Sequence, residues 1–190
     1  GGAGSGGLPR MDISGKITPK LIKDMADPNW KIRAAAVEHV SAILLEANCR
    51  IAPNTGGEMM PALAQRFTDA NRNLAASALI TVGKVAEAMG AAVGERRHGH
   101  GLVPEIVKQM GDSKLQVRAA AAGALDAWTN AAGLGKVLPQ VADKLVELSG
   151  KLSADGKVDT LAWVFSALTG PAGEEGVTGD LDLTAAIAAA

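Results

Sequence analysis

Apolar residues recur at helical spacing along most of this chain, and short polar stretches interrupt them at regular intervals. Thr18-Pro19 reads as an N-cap followed by proline at the first helical position. The short helix it opens carries Leu21, Ile22 and Met25 toward a core, and Asp27-Pro28-Asn29 breaks it. From about Asn29 to Ala47, residues Ile32, Ala36, Val37, Val40, Ile43 and Leu44 fall on one stripe of a longer helix. The plan then repeats. Gly56-Gly57 precedes a helix with Met59, Met60, Leu63, Ala64 and Phe67, a turn at Asp69, and a helix from Leu74 to Met89 for which Gly90 is a C-cap. A third pair runs from Leu102 to Met110, turns at Asp112 and continues from Val117 to Ala131. A fourth, more worn, has Val137 to Leu148, a turn at Asp155, and Val158 to Leu168.

The turn aspartates Asp27, Asp69, Asp112 and Asp155 stand 42, 43 and 43 residues apart. Around three of them the local text agrees, as D-P-N-W-K-I-R, D-A-N-R-N-L-A and D-S-K-L-Q-V-R, with an aliphatic residue (Ile32, Leu74, Val117) five positions on. A period in the low forties with two helices per unit is the signature of a HEAT- or armadillo-type α-solenoid. The predicted fold class is therefore all-α: about four stacked helix pairs, none able to bury its apolar face alone. Residues 1–13, opening G-G-A-G-S-G-G, are expected to be a flexible linker, and 14–170 the repeat domain. Residues 171–190 are expected to be a second linker with the possible start of a further helix from Leu181 to Ala190.

Composition narrows the function. A hydrophobic fraction of 47% supports a folded domain, while aromatics at 3% and abundant alanine require close helix packing through small side chains. A net charge of −1 argues against a general nucleic-acid binder. The single cysteine, Cys49, excludes an internal disulfide framework, suits a reducing compartment and is expected to be at least half buried. No uninterrupted apolar run reaches the roughly 20 residues of a membrane span, and no signal peptide is read. The chain opens on glycine, so an intracellular excerpt of a longer protein is expected. In Glu95-Arg96-Arg97-His98-Gly99-His100, the His-x-His pair lacks further metal ligands nearby and reads as a solvated connection. The glycines at 90, 94, 99 and 101 fit neither a phosphate loop nor a dinucleotide fingerprint, and no nucleophile motif accompanies His39. Neither an enzyme nor a cofactor is expected.

Several short blocks, in order and at matching distances, resemble the TOG domain, the HEAT array of ch-TOG-like microtubule polymerases, and most of all a later (fourth) TOG domain. They are P-R-M-D-I-S-G-K-I-T (9–18), D-P-N-W-K-I-R (27–33), I-L-L-E-A-N (43–48), A-M-G (88–90), G-D-S-K (111–114), V-R-A-A-A (117–121) and L-D-A-W (125–128). The resemblance covers residues 9–168. It implies six repeats, of which the last two are missing or barely begun here, and tubulin or the microtubule lattice held along the intra-repeat turns. Carried over by position, it implies tubulin contacts at Trp30, Lys31, Arg72, Asn73 and Lys114, with Lys157 a basic residue at the poorly matched fourth turn. It also implies one domain of a multi-TOG array, monomeric as a fragment, in the cytoplasm on the microtubule cytoskeleton, with no nucleic acid or membrane partner. The alternative is a HEAT scaffold that binds another cytoskeletal protein.

The residues themselves leave Trp30 two roles: an exposed anchor in a polar turn, or a cap folded over the first pair's core. The resemblance favours contact. Trp128 and Trp163 lie on apolar stripes and are expected in the core. Lys31, Arg72, Lys114 and Lys157 recur beside the turns, so stacking should set them in a row of cations attractive to an acidic surface. Asp27, Asp112, Arg33 and Arg118 are expected to link repeats as an Asp–Arg ladder, interrupted at Ala75 where repeat two lacks the arginine.

Overall fold

The computed structural model describes residues 9–55, 57–95, 101–148 and 150–170, and these hold eight α-helices. They pair as α1 (Pro19–Met25) with α2 (Trp30–Glu46), α3 (Met59–Ala64) with α4 (Arg72–Met89), α5 (Leu102–Gln109) with α6 (Leu115–Ala132), and α7 (Leu134–Glu147) with α8 (Ala154–Thr169). Two layers result. The longer second helices stand side by side, the shorter first helices cover them, and the predicted apolar stripes meet between the layers.

Local chemistry explains where the helices begin and end. Thr18 Oγ1 accepts the Leu21 N–H at 3.2 Å, with Pro19 opening α1. Asn29 caps α2 through the Lys31 N–H at 3.0 Å, and Asn71 caps α4 through the Asn73 N–H at 3.1 Å. Gly90, at φ 61°, ends α4 as expected. α2 ends differently, with Asn48 and Cys49 both at positive φ and the Cys49 N–H returned to the Leu44 carbonyl at 2.8 Å. That turn projects Cys49 outward, so the thiol is exposed and not buried as expected.

Phe67, Leu79, Val82, Ile106 and Trp128 lie deep in the core, and Trp163 is buried too. The Trp163 indole donates to the Asp126 carboxylate at 2.7 Å, tying α8 to α6. The most extensive helix contact is between α4 and α6. Gly83 sits there, and a Cβ on it would meet the Ala124 Cα at 3.3 Å. Small residues thus bring these two axes together. By length and composition, the stretch Arg72–Gly94 is apolar enough to cross a membrane, but it is mostly buried and forms the centre of the stack.

Two boundaries differ from expectation. Residues 9–13 belong to the fold. Arg10 donates to the carbonyls of Ile51 at 3.1 Å and Ala88 at 2.8 Å, Met11 pairs with Ile51, and Ile13 is fully buried. The polar text around Arg10 concealed a strap. The fourth pair is out of register as well. Ser153, accepting the Gly156 N–H at 3.1 Å, caps α8, so Asp155 lies inside its first turn and is not a turn residue. The expected linker over residues 1–8, most of the Glu95–His100 cluster and everything expected of 171–190 lie outside the described residues.

Candidate functional site

The starts of α2, α4 and α6 form one edge of the molecule. At each preceding turn the aspartate accepts the N–H two residues on: Asp27 from Asn29 at 2.7 Å, Asp69 from Asn71 at 2.9 Å, and Asp112 from Lys114 at 2.8 Å. The repeated aspartate therefore shapes each turn, and its side chain turns inward.

An arginine of each pair then reaches the next pair's aspartate. Arg33 holds Asp69 through two hydrogen bonds, Nε to Oδ2 at 2.7 Å and Nη2 to Oδ1 at 2.8 Å. Its Nη1 also donates to the carbonyl of Asp27 at 2.8 Å. The Asp69 side chain is only 2% exposed, and Arg66 approaches it at 3.3 Å. Burial alone would raise the Asp69 pKa, but the Arg33 hydrogen bond, the Asn71 N–H and the two guanidinium charges hold it below the usual carboxylate range. Repeat two has no arginine at Ala75, yet the ladder is not interrupted. Arg72 donates to Asp112 and, at 2.8 Å, to the carbonyl of Asp69. A long side chain three residues earlier spans the same gap. The last rung falls on Asp159, which accepts from Arg118 Nε at 2.6 Å; Asp155 stands 3.7 Å from the same arginine.

These facts reassign some of the sequence-predicted residues. Trp30, the first residue of α2, is 49% exposed and does not cap the core. Lys31 is exposed beside it, with Nζ 6.0 Å from the indole centroid, at the outer limit of a cation–π contact. Arg72 is held by Asp112, and the exposed Asn73 accepts from Gln116 Nε2 at 3.2 Å. Lys114 is exposed, and its ammonium has no ion-pair partner among the described residues. Lys157 leaves the row. Counted from the helix cap it occupies the register of Arg33 and Arg118, and it is half-buried. The edge thus presents two lysines without an ion-pair partner among the described residues, on either side of a paired arginine, where a continuous row of four cations was expected.

One exposed residue escaped the sequence reading. Leu115 opens α6 and is 65% exposed. It stands three residues after its turn aspartate, the same column as Trp30 and Arg72. Comparing those columns would have found it. Away from the edge, a shallow groove of about 480 Å³ runs between α4 and α6 past Ile80, Lys84, Glu87, Ala119 and Gly123. Its two charged groups have opposite sign and no nucleophile accompanies them.

The fold and this edge define an α-solenoid of HEAT-type helix pairs, with arginine–aspartate rungs inside and variable side chains at the turn tips. Over 169 residues, 87% of its length, the chain is 42% identical to Protein MOR1 of Arabidopsis thaliana, while spanning about 8% of that relative. No protein-family model matches. Two solved chains share the fold. One, from work on microtubule plus-end tracking by XMAP215, CLIP-170 and EB1, has a TM-score of 0.72 at 22% identity, covering 85% of this chain and 64% of its own. The other, from work on tubulin recruitment and assembly by microtubule polymerases with TOG domain arrays, has a TM-score of 0.60 at 18% identity, covering 87% and 40%. The chain is thus a relative of one stretch of MOR1 in the HEAT-repeat fold of those structures.

Proposed function

We propose that this chain is a TOG domain, a non-catalytic module that binds tubulin or the microtubule lattice through the edge formed by the starts of α2, α4 and α6. The observation that carries the reading is Trp30: a large indole left half-exposed on a well-capped helix, with Lys31 beside it. Trp30 is not part of the hydrophobic core, and buried aromatic anchors dominate the energetics of interfaces. The solved chains of the same fold come from work on tubulin recruitment and microtubule tracking, which supports the choice of partner.

In this reading Trp30 supplies apolar contact, while Lys31 and Lys114 meet carboxylates and steer association. Arg72 and Asn73, fixed by Asp112 and Gln116, give the middle of the edge a set shape. The module acts as one monomeric unit of an array, read as its fourth, where tethering makes modest affinity effective. Its place is the cytoplasmic microtubule cytoskeleton, and neither nucleic acid nor membrane is a partner.

The test is co-sedimentation with tubulin and with microtubules. Combining Trp30→Ala with Lys114→Glu should weaken binding by about 30-fold or more, the size of one interface hot spot. Unchanged binding would remove the edge from the account. Protection mapped to the α4/α6 groove would instead favour a scaffold gripping another cytoskeletal protein on its helix faces.

A further inference from the structure

Leu115 breaks two local rules at once. A 65% exposed leucine opens α6, and the residue before it, Lys114, is a helix cap that makes no side-chain capping bond. The equivalent caps of α2 and α4 are asparagines whose side chains bond the first turn. A lysine there forgoes that bond and sets a cation at the positive end of the helix dipole. Leucine in the next position gains little within the chain, since two-thirds of it faces solvent. Where local preference is overridden without an internal gain, an external partner is the physical reason to look for.

Register gives that partner a shape. Trp30, Arg72 and Leu115 each occupy the first position of their helices, and the rungs Arg33–Asp69 and Arg72–Asp112 set those helix starts side by side. Adjacent packed helices lie about 8–10 Å apart, so Trp30 and Leu115 are separated by roughly 16–20 Å with the tied-down Arg72 between them. Each outer tip carries one apolar side chain and one cation with no ion-pair partner among the described residues: Trp30 with Lys31, and Leu115 with Lys114. At the central tip the charge of Arg72 is paired with Asp112.

We infer that Leu115 is a second apolar anchor of the tubulin-binding edge, and that the edge reads two separated spots on its partner, each an apolar depression bordered by a carboxylate. This rests on the tubulin reading above. It changes that reading from one aromatic anchor with scattered charge into a two-point grip, in which the spacing between the tips helps to choose the partner.

The experiment compares the full 190-residue chain with Leu115→Ser, Lys114→Glu and Trp30→Ala in tubulin binding at low and moderate salt. Leu115→Ser should keep the thermal midpoint of the parent, because the residue is already largely exposed, and should lose about tenfold in affinity. That loss should be the same at both salt concentrations, whereas the loss for Lys114→Glu should shrink as salt screens it. If Trp30→Ala weakens binding and Leu115→Ser does not, the second anchor is wrong and the tubulin edge stands. If the unmodified chain does not bind tubulin, or binds it regardless of all three substitutions, the tubulin edge and the second anchor fall together.

Discussion

Asp69 joins three elements of the stack through one carboxylate. Its carboxylate closes its own turn, accepts both Arg33 bonds and faces Arg66, all at 2% exposure. Removing the charge from a buried pair leaves guanidinium groups without compensation, which costs far more than an exposed pair contributes. Asp69→Asn keeps the oxygen that closes the turn, but it removes the charge and sets an amide donor against Arg33 Nε where Oδ2 accepts, so it should destabilise the fold by about 3 kcal/mol in urea denaturation. The pH dependence has a definite sign. The folded pKa of Asp69 lies below the unfolded value of about 3.9. Its contribution is therefore complete above that value and disappears as pH falls through the folded one. Stability measured from pH 6 down to pH 3 should drop in the acid range, and the Asn variant should show a flatter profile there. Sequence spacing located these aspartates and the rung arginines Arg33 and Arg118, but not the rung from Arg72 or the shift of the last rung to Asp159. Arg72 looked like a free contact because its alignment with Lys31 and Lys114 says nothing of how far a guanidinium reaches. Trp30 was undecided for a related reason, since exposure of an indole depends on which neighbours stand over it.

Two glycines on neighbouring helices show what pattern can and cannot convey about an element. Gly83 on α4 and Gly123 on α6 both sit inside alanine-rich helices and look alike in sequence. Their surroundings are opposite. A Cβ at Gly83 would meet Ala124 Cα at 3.3 Å and Ala127 Cβ at 3.4 Å, whereas one at Gly123 would meet nothing within 4 Å. Gly123→Ala should thus raise stability by about 0.5–1 kcal/mol through lost unfolded-state freedom and better helix propensity. Gly83→Leu should lower it by about 1–3 kcal/mol, because α4 and α6 would have to separate. Thermal or urea unfolding of both variants decides this, and equal shifts would contradict the packing described. The helices themselves were legible, because a stripe at 3.6 spacing survives any tertiary context. Their starts were less so. The Asp155 turn was misplaced since Ser153 substitutes for the usual capping text, and a period of about 43 invites the eye to continue it.

At the scale of the whole molecule, the two edges of the stack have different work. The starts of α2, α4 and α6 face the proposed partner. The ends of α2 and α4 lie at the far edge, about 25 Å away along α2. There the segment from Arg10 to Ile13 crosses from one helix end to the next. The Arg10 guanidinium bonds the Ile51 and Ala88 carbonyls, and Ala52 returns its N–H to Met11 at 2.9 Å. The Ala88 carbonyl belongs to the last turn of α4, so the Arg10 cation is favoured by that helix's dipole as well as by the bonds it makes. The rungs therefore fasten repeats one and two at the partner edge, and the strap fastens them at the other, which together fix their relative tilt. Arg10→Ala should cost about 1–2 kcal/mol in urea denaturation and speed hydrogen exchange at the Met11 and Ala52 amides. The same variant should bind tubulin within about twofold of the parent at temperatures where it stays folded, since additivity holds for sites this far apart. A large loss of binding in the folded variant would mean that the tilt set by the strap reaches the spacing of the turn tips, and the two edges would then have to be treated as one mechanical unit.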